Sequence, residues 1–412
     1  MLYFWCPDTH RARGGVKQIY AHVRALRALG VQAFVLHTEL GFRCDWFDKQ
    51  APCAYLGEGS GRKLRKLAGR VARRFDPSPD VAIRPGRAVY LQAGPGMVRS
   101  TFLPDDVLVL PGYMGCRLRA TDVGLPTIVF NQGPFETFVG AAADPTALIY
   151  DSPLLRGVVC VSAHSQRYLQ AAFPQVTVKR VVNGVDPRVF HPDQRARTRQ
   201  IAYMPSKMPK DTVQVLQMLK RRGRVRGYSF KAIQNMPEYQ VARTLRESSI
   251  FLNLVLQEGF GLPPVEAGLS GCLVAGYTGF GGEEFFLPEL TWPVPTADVL
   301  GAVHAVEAAV AACETRPGWV RERRQAFRQH LLQRYSLDHE RRSIAEAYRA
   351  LCPELLPVRP SSGVSPLSAR LPVVARQSAA GSSATARVPR GLGHRFTAGD
   401  GVKVVNSSSG RR

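Results

Sequence analysis

The segment Ile250–Leu256 is an apolar run broken only by Asn253, and it leads into Glu258-Gly259-Phe260-Gly261-Leu262-Pro263-Pro264-Val265-Glu266. A run of this kind reads as a buried strand, the glycines as a loop, and the prolines as the opening of a helix. The small residues Ala267-Gly268-Leu269-Ser270-Gly271 continue that helix. In open α/β sheets, ligands bind at the carboxyl ends of strands, beside helix N-termini. The spacing puts Glu258 on the loop and Glu266 in the first helical turn, two carboxylates facing one crevice. Each accepts two hydroxyl donors, which suits a polyhydroxylated ligand.

The rest of the chain repeats the same alternation of strand and helix. A first strand is expected at about Tyr3–Trp5, followed by a glycine turn at Gly14-Gly15. Ile19, Val23, Leu26 and Leu29 then recur at helical spacing until Gly30 ends the helix. Further strands are expected at Val31–His37, Ala88–Gln92, Val107–Leu110, Thr127–Phe130 and Gly157–Val161. Such alternation predicts an α/β fold of parallel strands with helices on both faces. A join lies near Val182–Ala202, where Asn183-Gly184-Val185-Asp186 reads as a turn. Strands resume at Gln200–Met204, Tyr228–Ile233, Ile250–Leu256 and Leu273–Ala275, and charged helices follow at about Trp319–Tyr335 and Asp338–Cys352. The expected organisation is therefore two doubly wound, Rossmann-like domains, residues 1–190 and 191–356. From Pro357 to Arg412 the apolar periodicity is lost and Ser, Ala, Pro, Gly, Val and Arg dominate. That tail is expected to be disordered and dispensable, with a basic tether as the alternative.

The formal net charge is +23. Beyond residue 356, nine Lys or Arg face one acid, Asp400, so +8 belongs to the tail and +15 to residues 1–356. A basic body attracts nucleotides, lipid pyrophosphates, anionic lipid or nucleic acid. Aromatic residues do not interleave with the basic runs, as a single-strand stacking platform requires, so nucleic acid is not the expected partner. The eight cysteines are scattered without a CxxC pair, which predicts reduced core thiols and neither a disulfide framework nor a zinc site. No apolar run approaches the roughly 18 residues of a membrane span. Met1–Pro7 lacks the basic start of a signal peptide. A cytoplasmic protein is expected, on the inner face of the membrane if its basic surface meets lipid.

The Glu-x7-Glu spacing within EGFGLPPVEA resembles the signature of retaining GT-B glycosyltransferases of family 4. The resemblance covers roughly Gly14 to Cys352. It includes Gly14-Gly15-Val16, which in the family borders the donor–acceptor cleft, and the stretch Val161-Ser162-Ala163-His164-Ser165 leading to Asn183-Gly184-Val185-Asp186 and Phe190. It implies a GT-B fold whose two domains face a cleft, with the last helix, about 338–352, crossing back to the first domain. It implies transfer of a hexosyl group from a nucleotide-sugar with retention. In that scheme Glu258 takes donor sugar hydroxyls and Glu266 the ribose hydroxyls, flanked by Gly259, Phe260 and Gly261. Basic residues after the first strand of the second domain meet the diphosphate: Lys207 is the first choice and Lys210 the second, while Ser206 stands where related sequences have arginine. The backbone of Gly279, Gly281 and Gly282 is expected to bind the diphosphate too. The neighbouring Glu283 and Glu284 must then face elsewhere, toward sugar hydroxyls or a helix N-terminus. Asn131 and Gln132 occupy the cleft loop where many family members carry a histidine. Front-face departure needs no protein base, because the leaving phosphate can take the acceptor's proton.

The chain contains no Asp-x-Asp motif, so neither metal nor cofactor is expected and the nucleotide-sugar is a substrate. The acceptor, a glycan or a lipid-pyrophosphate glycan for a surface polysaccharide, is assigned to the first domain. There the basic stretch Gly61–Arg74, with Arg62, Lys63, Arg65 and Lys66, would suit an anionic membrane. Three other readings stay open: a non-catalytic glycan or nucleotide binder on a degenerate scaffold, a nucleic-acid binder suggested by charge alone, and a sugar-nucleotide epimerase.

Overall fold

Two sheets organise the chain, as the alternation predicts. The computed structural model describes residues 1–47, 50–57, 83–114, 123–138, 148–193, 197–205 and 207–355. The basic stretch 61–74, Ser206 and the tail from 357 lie outside the described residues.

The N-terminal sheet is built from β1 (Leu2–Trp5), β2 (Ala33–His37), β3 (Cys53–Tyr55), β4 (Ala88–Gln92), β5 (Val98–Thr101), β6 (Val107–Pro111), β7 (Thr127–Asn131), β8 (Leu155–Cys160) and β9 (Val178–Arg180). Among the described residues their order is β5-β4-β3-β2-β1-β6-β7-β8-β9. Strands β1, β2, β6, β7 and β8 are the apolar runs anticipated, and their inner residues are buried because helices cover both faces. The expectation of parallel strands holds from β3 to β9 and fails at one edge, where β3 pairs antiparallel with β4 and β4 with β5. Gly94-Pro95-Gly96 lets β4 and β5 close as a hairpin there.

Helix α1 (Gly14–Ala28) follows β1 and buries Val16, Ile19, Val23 and Leu26. It takes in Gly14 and Gly15 as its first two residues, so they form its first turn and not the preceding loop. Gly30, at φ 86°, ends it as expected. Helix α2 (Ala163–Ala172) is capped by Ser162, whose hydroxyl accepts from the Ser165 amide.

The C-terminal sheet is parallel throughout, in the order β11-β10-β12-β13-β14. Its elements run β10 (Thr198–Tyr203), α3 (Pro209–Arg222), β11 (Ser229–Ala232), α4 (Glu238–Glu247), β12 (Ser248–Asn253), α5 (Leu262–Leu269), β13 (Leu273–Tyr277) and β14 (Trp292–Val294). The chain leaves β10 for β11 on one side and returns to β12 on the other. That reversal is a topological switch point, where the carboxyl ends of neighbouring strands open a crevice.

Helices α6 (Val299–Thr315), α7 (Pro317–Arg334) and α8 (Leu337–Leu351) close the described chain. Helix α8 lies against the N-terminal sheet: the Tyr348 ring meets Phe4 at 5.7 Å, and its hydroxyl lies 3.3 Å from His22 Nδ1. Burial drives the His22 pKa down to about 3, so the imidazole is neutral. The segment Asn183–Asp186 is the seat of this helix more than a free turn. The Val182 amide donates to Ser343 Oγ, the Gly184 amide to Glu340 Oε1, and the Val185 amide to the Tyr335 carbonyl. One apolar cluster runs through both sheets, joining Phe4 and Val109 to Phe251 and Val274, so the described residues up to 355 form a single compact unit.

Candidate functional site

The carboxyl ends of β10 and β12 straddle the switch point of the C-terminal sheet, and each sends out a loop. The first carries Lys207 and the second Glu258. Lys207 Nζ lies 3.1 Å from Glu258 Oε2. The lysine side chain is 53% exposed and the glutamate 25%, so the pair is open to solvent at the switch point. Lys210 is exposed in the first turn of α3, one step further out, and its ammonium has no recorded partner among the described residues.

The loop after Glu258 is held from two sides. Within the C-terminal half it pairs with the loop after β13: the Glu258 amide donates to the Gly279 carbonyl and the Gly281 amide to the Glu258 carbonyl. The Gly282 amide donates to the Thr278 carbonyl. The amides of Gly281 and Gly282, expected on a diphosphate, are thus already used inside the loop. Between them and Gly279 sits Phe280 at φ 66°, a strained conformation for a non-glycine residue and one that recurs at functional sites.

From the other side the loop meets the N-terminal half. A Cβ at Gly259 would stand 1.9 Å from the Gln132 carbonyl oxygen, so only glycine lets the two backbones come this close. Ser165 Oγ donates to the Gly259 carbonyl at 3.3 Å. Gln132 in turn donates its Nε2 to the Gly15 carbonyl at 3.1 Å, and a Cβ at Gly14 would meet Leu262 at 3.1 Å. Gly14, Gly15, Gln132 and Gly259 therefore share one seam. Asn131 does not join them. Its side chain is buried and donates to Thr137 Oγ1 at 2.9 Å and to the Tyr150 hydroxyl at 3.1 Å, because it closes the N-terminal loop from within. Phe260 is also a packing residue, buried edge-on against Phe285 and Tyr335. Gly261 holds the N-cap of α5 at φ 94°, outside the range of ordinary side chains.

Glu266 lies deeper than the spacing suggests. It is the fifth residue of α5, past the first turn, and only 8% exposed. Its Oε1 faces Lys17 Nζ of α1 at 3.5 Å, across the seam between the two halves. Lys17 also pairs with Glu238, in the first turn of α4, and its ammonium lies 5.3 Å from the centre of the Phe190 ring. Burial pushes the Glu266 pKa up; Lys17 pulls it down and Glu238 pushes it up further, leaving it above the ordinary carboxyl value. For Lys17, burial opposes the charge, but Glu266 and Glu238 outweigh it and hold the pKa above that of a free lysine.

Three residues of this region are not singled out by the sequence. Lys17 and Glu238 are two. Their only sequence signal is Lys17 itself, a cation in the first turn of a helix, where the dipole favours anions. The third is His164, the imidazole that stands beside the loop where the sequence lacked one. It packs between Phe135 at 5.7 Å and Phe280 at 5.3 Å, and its buried Nε2 has no partner among the described residues. Glu283 is exposed, while Glu284 turns to a helix N-terminus, as one alternative required. Its Oε1 accepts from the Ala163 amide of α2 at 2.5 Å, and its Oε2 faces Arg180 at 2.6 Å. No group of three metal-ligating side chains occurs among the described residues.

No family model matches the chain. An α-1,6-glucosyltransferase of Actinobacillus pleuropneumoniae serotype 7 is 26% identical over 187 residues, which cover 43% of this chain and 54% of that protein. The chain thus spans about half the length of the curated relative it matches. Among solved structures, sucrose-phosphate synthase of Thermosynechococcus elongatus superimposes with a TM-score of 0.56 at 12% identity, over 86% of this chain and 99% of that one. TarM does so with 0.55 at 9%, over 85% and 98%. HepE of Anabaena, solved with UDP and glucose, gives 0.51 at 11%, over 85% and 99%. At such identities the likeness is one of fold, and the fold is GT-B.

Proposed function

We propose that this GT-B chain is a glycosyltransferase that moves a hexosyl group from a nucleotide-sugar to an acceptor hydroxyl with retention. The observation that carries the reading is the Lys207–Glu258 pair at the switch point, in one motif with Glu266. A glucosyltransferase relative supports the activity, and the fold of HepE, solved with UDP and glucose, supports the donor class. Glu258, partly exposed at the switch point, accepts from donor sugar hydroxyls. Lys207 swings from Glu258 to the diphosphate and offsets the charge that develops there as the glycosidic bond breaks. Lys210 adds to the same field. The departing phosphate takes the acceptor's proton on the front face, so no side chain has to act as base and no metal is required. Glu266 takes the ribose hydroxyls. The acceptor lies on the N-terminal side, beside Gln132 and Gly15. The family 4 assignment and the cytoplasmic location belong to the same proposal.

A thermal-shift panel of UDP-, GDP- and dTDP-sugars, beginning with UDP-glucose, tests the donor site. A ligand that binds the native state raises its midpoint with occupancy. One nucleotide class should stabilise the wild type and fail to stabilise Glu266→Ala. No shift with any donor overturns the reading. A shift without turnover in the presence of glycan acceptors identifies instead a binder on a degenerate scaffold, which the internal use of the Gly281 and Gly282 amides favours. A lipid-pyrophosphate acceptor at an anionic membrane follows from the +15 of residues 1–356. Absence of binding to anionic vesicles at low salt removes that part alone.

A further inference from the structure

We propose that Lys17 is a positioning residue for the donor, holding Glu266 across the seam so that helix α1 completes the nucleoside pocket of the C-terminal half. The inference rests on the assignment of Glu266 to ribose hydroxyls.

Three observations carry it. First, the contact joins residues 249 apart in sequence, carried by the two opposite halves, so the cation that faces Glu266 comes from the half that does not contain it. Second, Lys17 engages only Oε1 of Glu266; among the described residues Oε2 has no hydrogen bond. One oxygen faces the ammonium and the other keeps its acceptor capacity. Third, the cluster holds two carboxylates and one ammonium. The carboxylate oxygens accept from hydroxyl donors and turn phosphate away, which directs the ribose here and the diphosphate to Lys207.

A vicinal diol donates to a carboxylate most effectively when both oxygens are acceptors, which requires the ionised form. The surroundings of Glu266 oppose that form. On its own helix the neighbours are Val265 and Ala267, and from α7 the side chains that reach α5 beside Gly268 are Phe327 and Leu331. Glu238 from α4 adds like charge, and its own field is shared with Arg24, further along α1. Lys17 supplies the one cation recorded against Glu266 among the described residues. Remove it, and Glu266 takes up a proton at higher pH, turning from a double acceptor into a donor–acceptor that no longer fits the diol.

The test is nucleotide binding by calorimetry with the full chain, using UDP, GDP and dTDP with the matching 2′-deoxy or ribo analogue, from pH 6 to 8.5. The wild type should bind one nucleotide with little pH dependence and lose affinity for its 2′-deoxy form. Lys17→Met should bind about 10-fold or more weakly at pH 6, as when an orienting partner of a ligand-binding group is lost. It should recover as pH rises and discriminate poorly against the 2′-deoxy form. Lys17→Arg should restore flat, tight binding. If Lys17→Met binds like the wild type with the same pH profile, the inference is wrong, although the donor site stands. If the wild type binds no nucleotide, the functional reading fails first. Should Lys17→Met not fold, Lys17→Arg and Glu238→Gln decide: both keep a cation on Glu266, and a pH-dependent loss of binding in either overturns the proposal.

Discussion

Glu258 and Glu266 come from one motif and end in opposite surroundings. Each is paired with a lysine. The pair Lys207–Glu258 is local to the C-terminal half, 53% and 25% exposed, at the switch point. The pair Lys17–Glu266 crosses to the N-terminal half and is 22% and 11% exposed. Water screens the first pair and competes for both its members, so the pair can open for a ligand at little cost. The second has lost much of that hydration, and each partner depends on the other to stay charged. The same two residue types thus form an exposed contact in one place and a largely buried one in the other. Accessibility, more than chemical identity, separates them.

The largest effect is expected from breaking the buried side of this comparison. Lys17→Met leaves Glu266 and Glu238 without their shared cation and should cost about 3 kcal/mol at pH 8, near the lower end for removing one partner of a buried ion pair. The pH dependence has a definite sign. The folded-state pKa of Glu266 is already raised, and loss of Lys17 raises it further. A carboxyl raised in the folded state binds more protons there than in the unfolded chain, so stability falls as pH climbs past the unfolded value of about 4.3 toward the folded one. The deficit of the variant should therefore shrink between pH 8 and pH 5. Urea midpoints at the two pH values measure it, and an equal deficit at both would show that Glu266 does not depend on Lys17 for its charge.

The joint that brings the two pairs together comes next. A methyl group at residue 259 would collide with the Gln132 carbonyl, a backbone atom that cannot rotate aside. Gly259→Ala should cost about 1–3 kcal/mol, the range for overpacking. Gly133→Ala, where a Cβ meets nothing within 4 Å, should stay within about 0.5 kcal/mol. Thermal midpoints of the two variants make the comparison. If Gly259→Ala matches Gly133→Ala, the seam is looser than the contact implies.

How much of this was legible beforehand follows from the physics of each element. Strands buried on both faces, such as Val107–Pro111 and Ser248–Asn253, write continuous apolar runs and were readable. Strands β3, β5, β9 and β14 are three or four residues long and lie in no longer apolar run, so they were not legible. Helices α2, α3, α4 and α6 were not legible either, although Ser162, Pro209 and Asp298 mark the starts of three of them. The placement of Glu258 and Lys207 was readable because both follow strands directly. The depth of Glu266 was not, since it is set by where α5 begins and by what lies across the seam. Lys17 and His164 were invisible as site residues because their surroundings come from segments more than a hundred positions away, Glu266 in one case and Phe280 in the other.

A third carboxylate grades the comparison. Glu284 is 13% exposed, and its partner Arg180, on β9, is 33% exposed, between the two lysine pairs. It also accepts from the amide at the start of α2, where the helix dipole favours a negative charge. Glu284→Gln keeps the shape and loses the charge, and should cost about 1.5 kcal/mol, as expected for a hydrogen bond to a charged group. A loss as small as that of the exposed pair would detach stability from burial and undo the ordering.

The smallest effect on stability belongs to Lys207→Met. An ion pair this exposed contributes about 0–1 kcal/mol, and 0.5 M salt should erase most of what there is. Turnover should behave differently. If Lys207 meets the charge that develops on the departing diphosphate, its loss should lower kcat about 100-fold, with far less change in donor KM, because the interaction strengthens only as the bond breaks. The informative result is the contrast within one variant, an unchanged urea midpoint beside a large loss of kcat. Equal, small changes in both would reduce Lys207 to a solvated surface lysine. A large loss of stability would mean that the Glu258 pair is fixed like that of Glu266, and the distinction between the two glutamates would collapse.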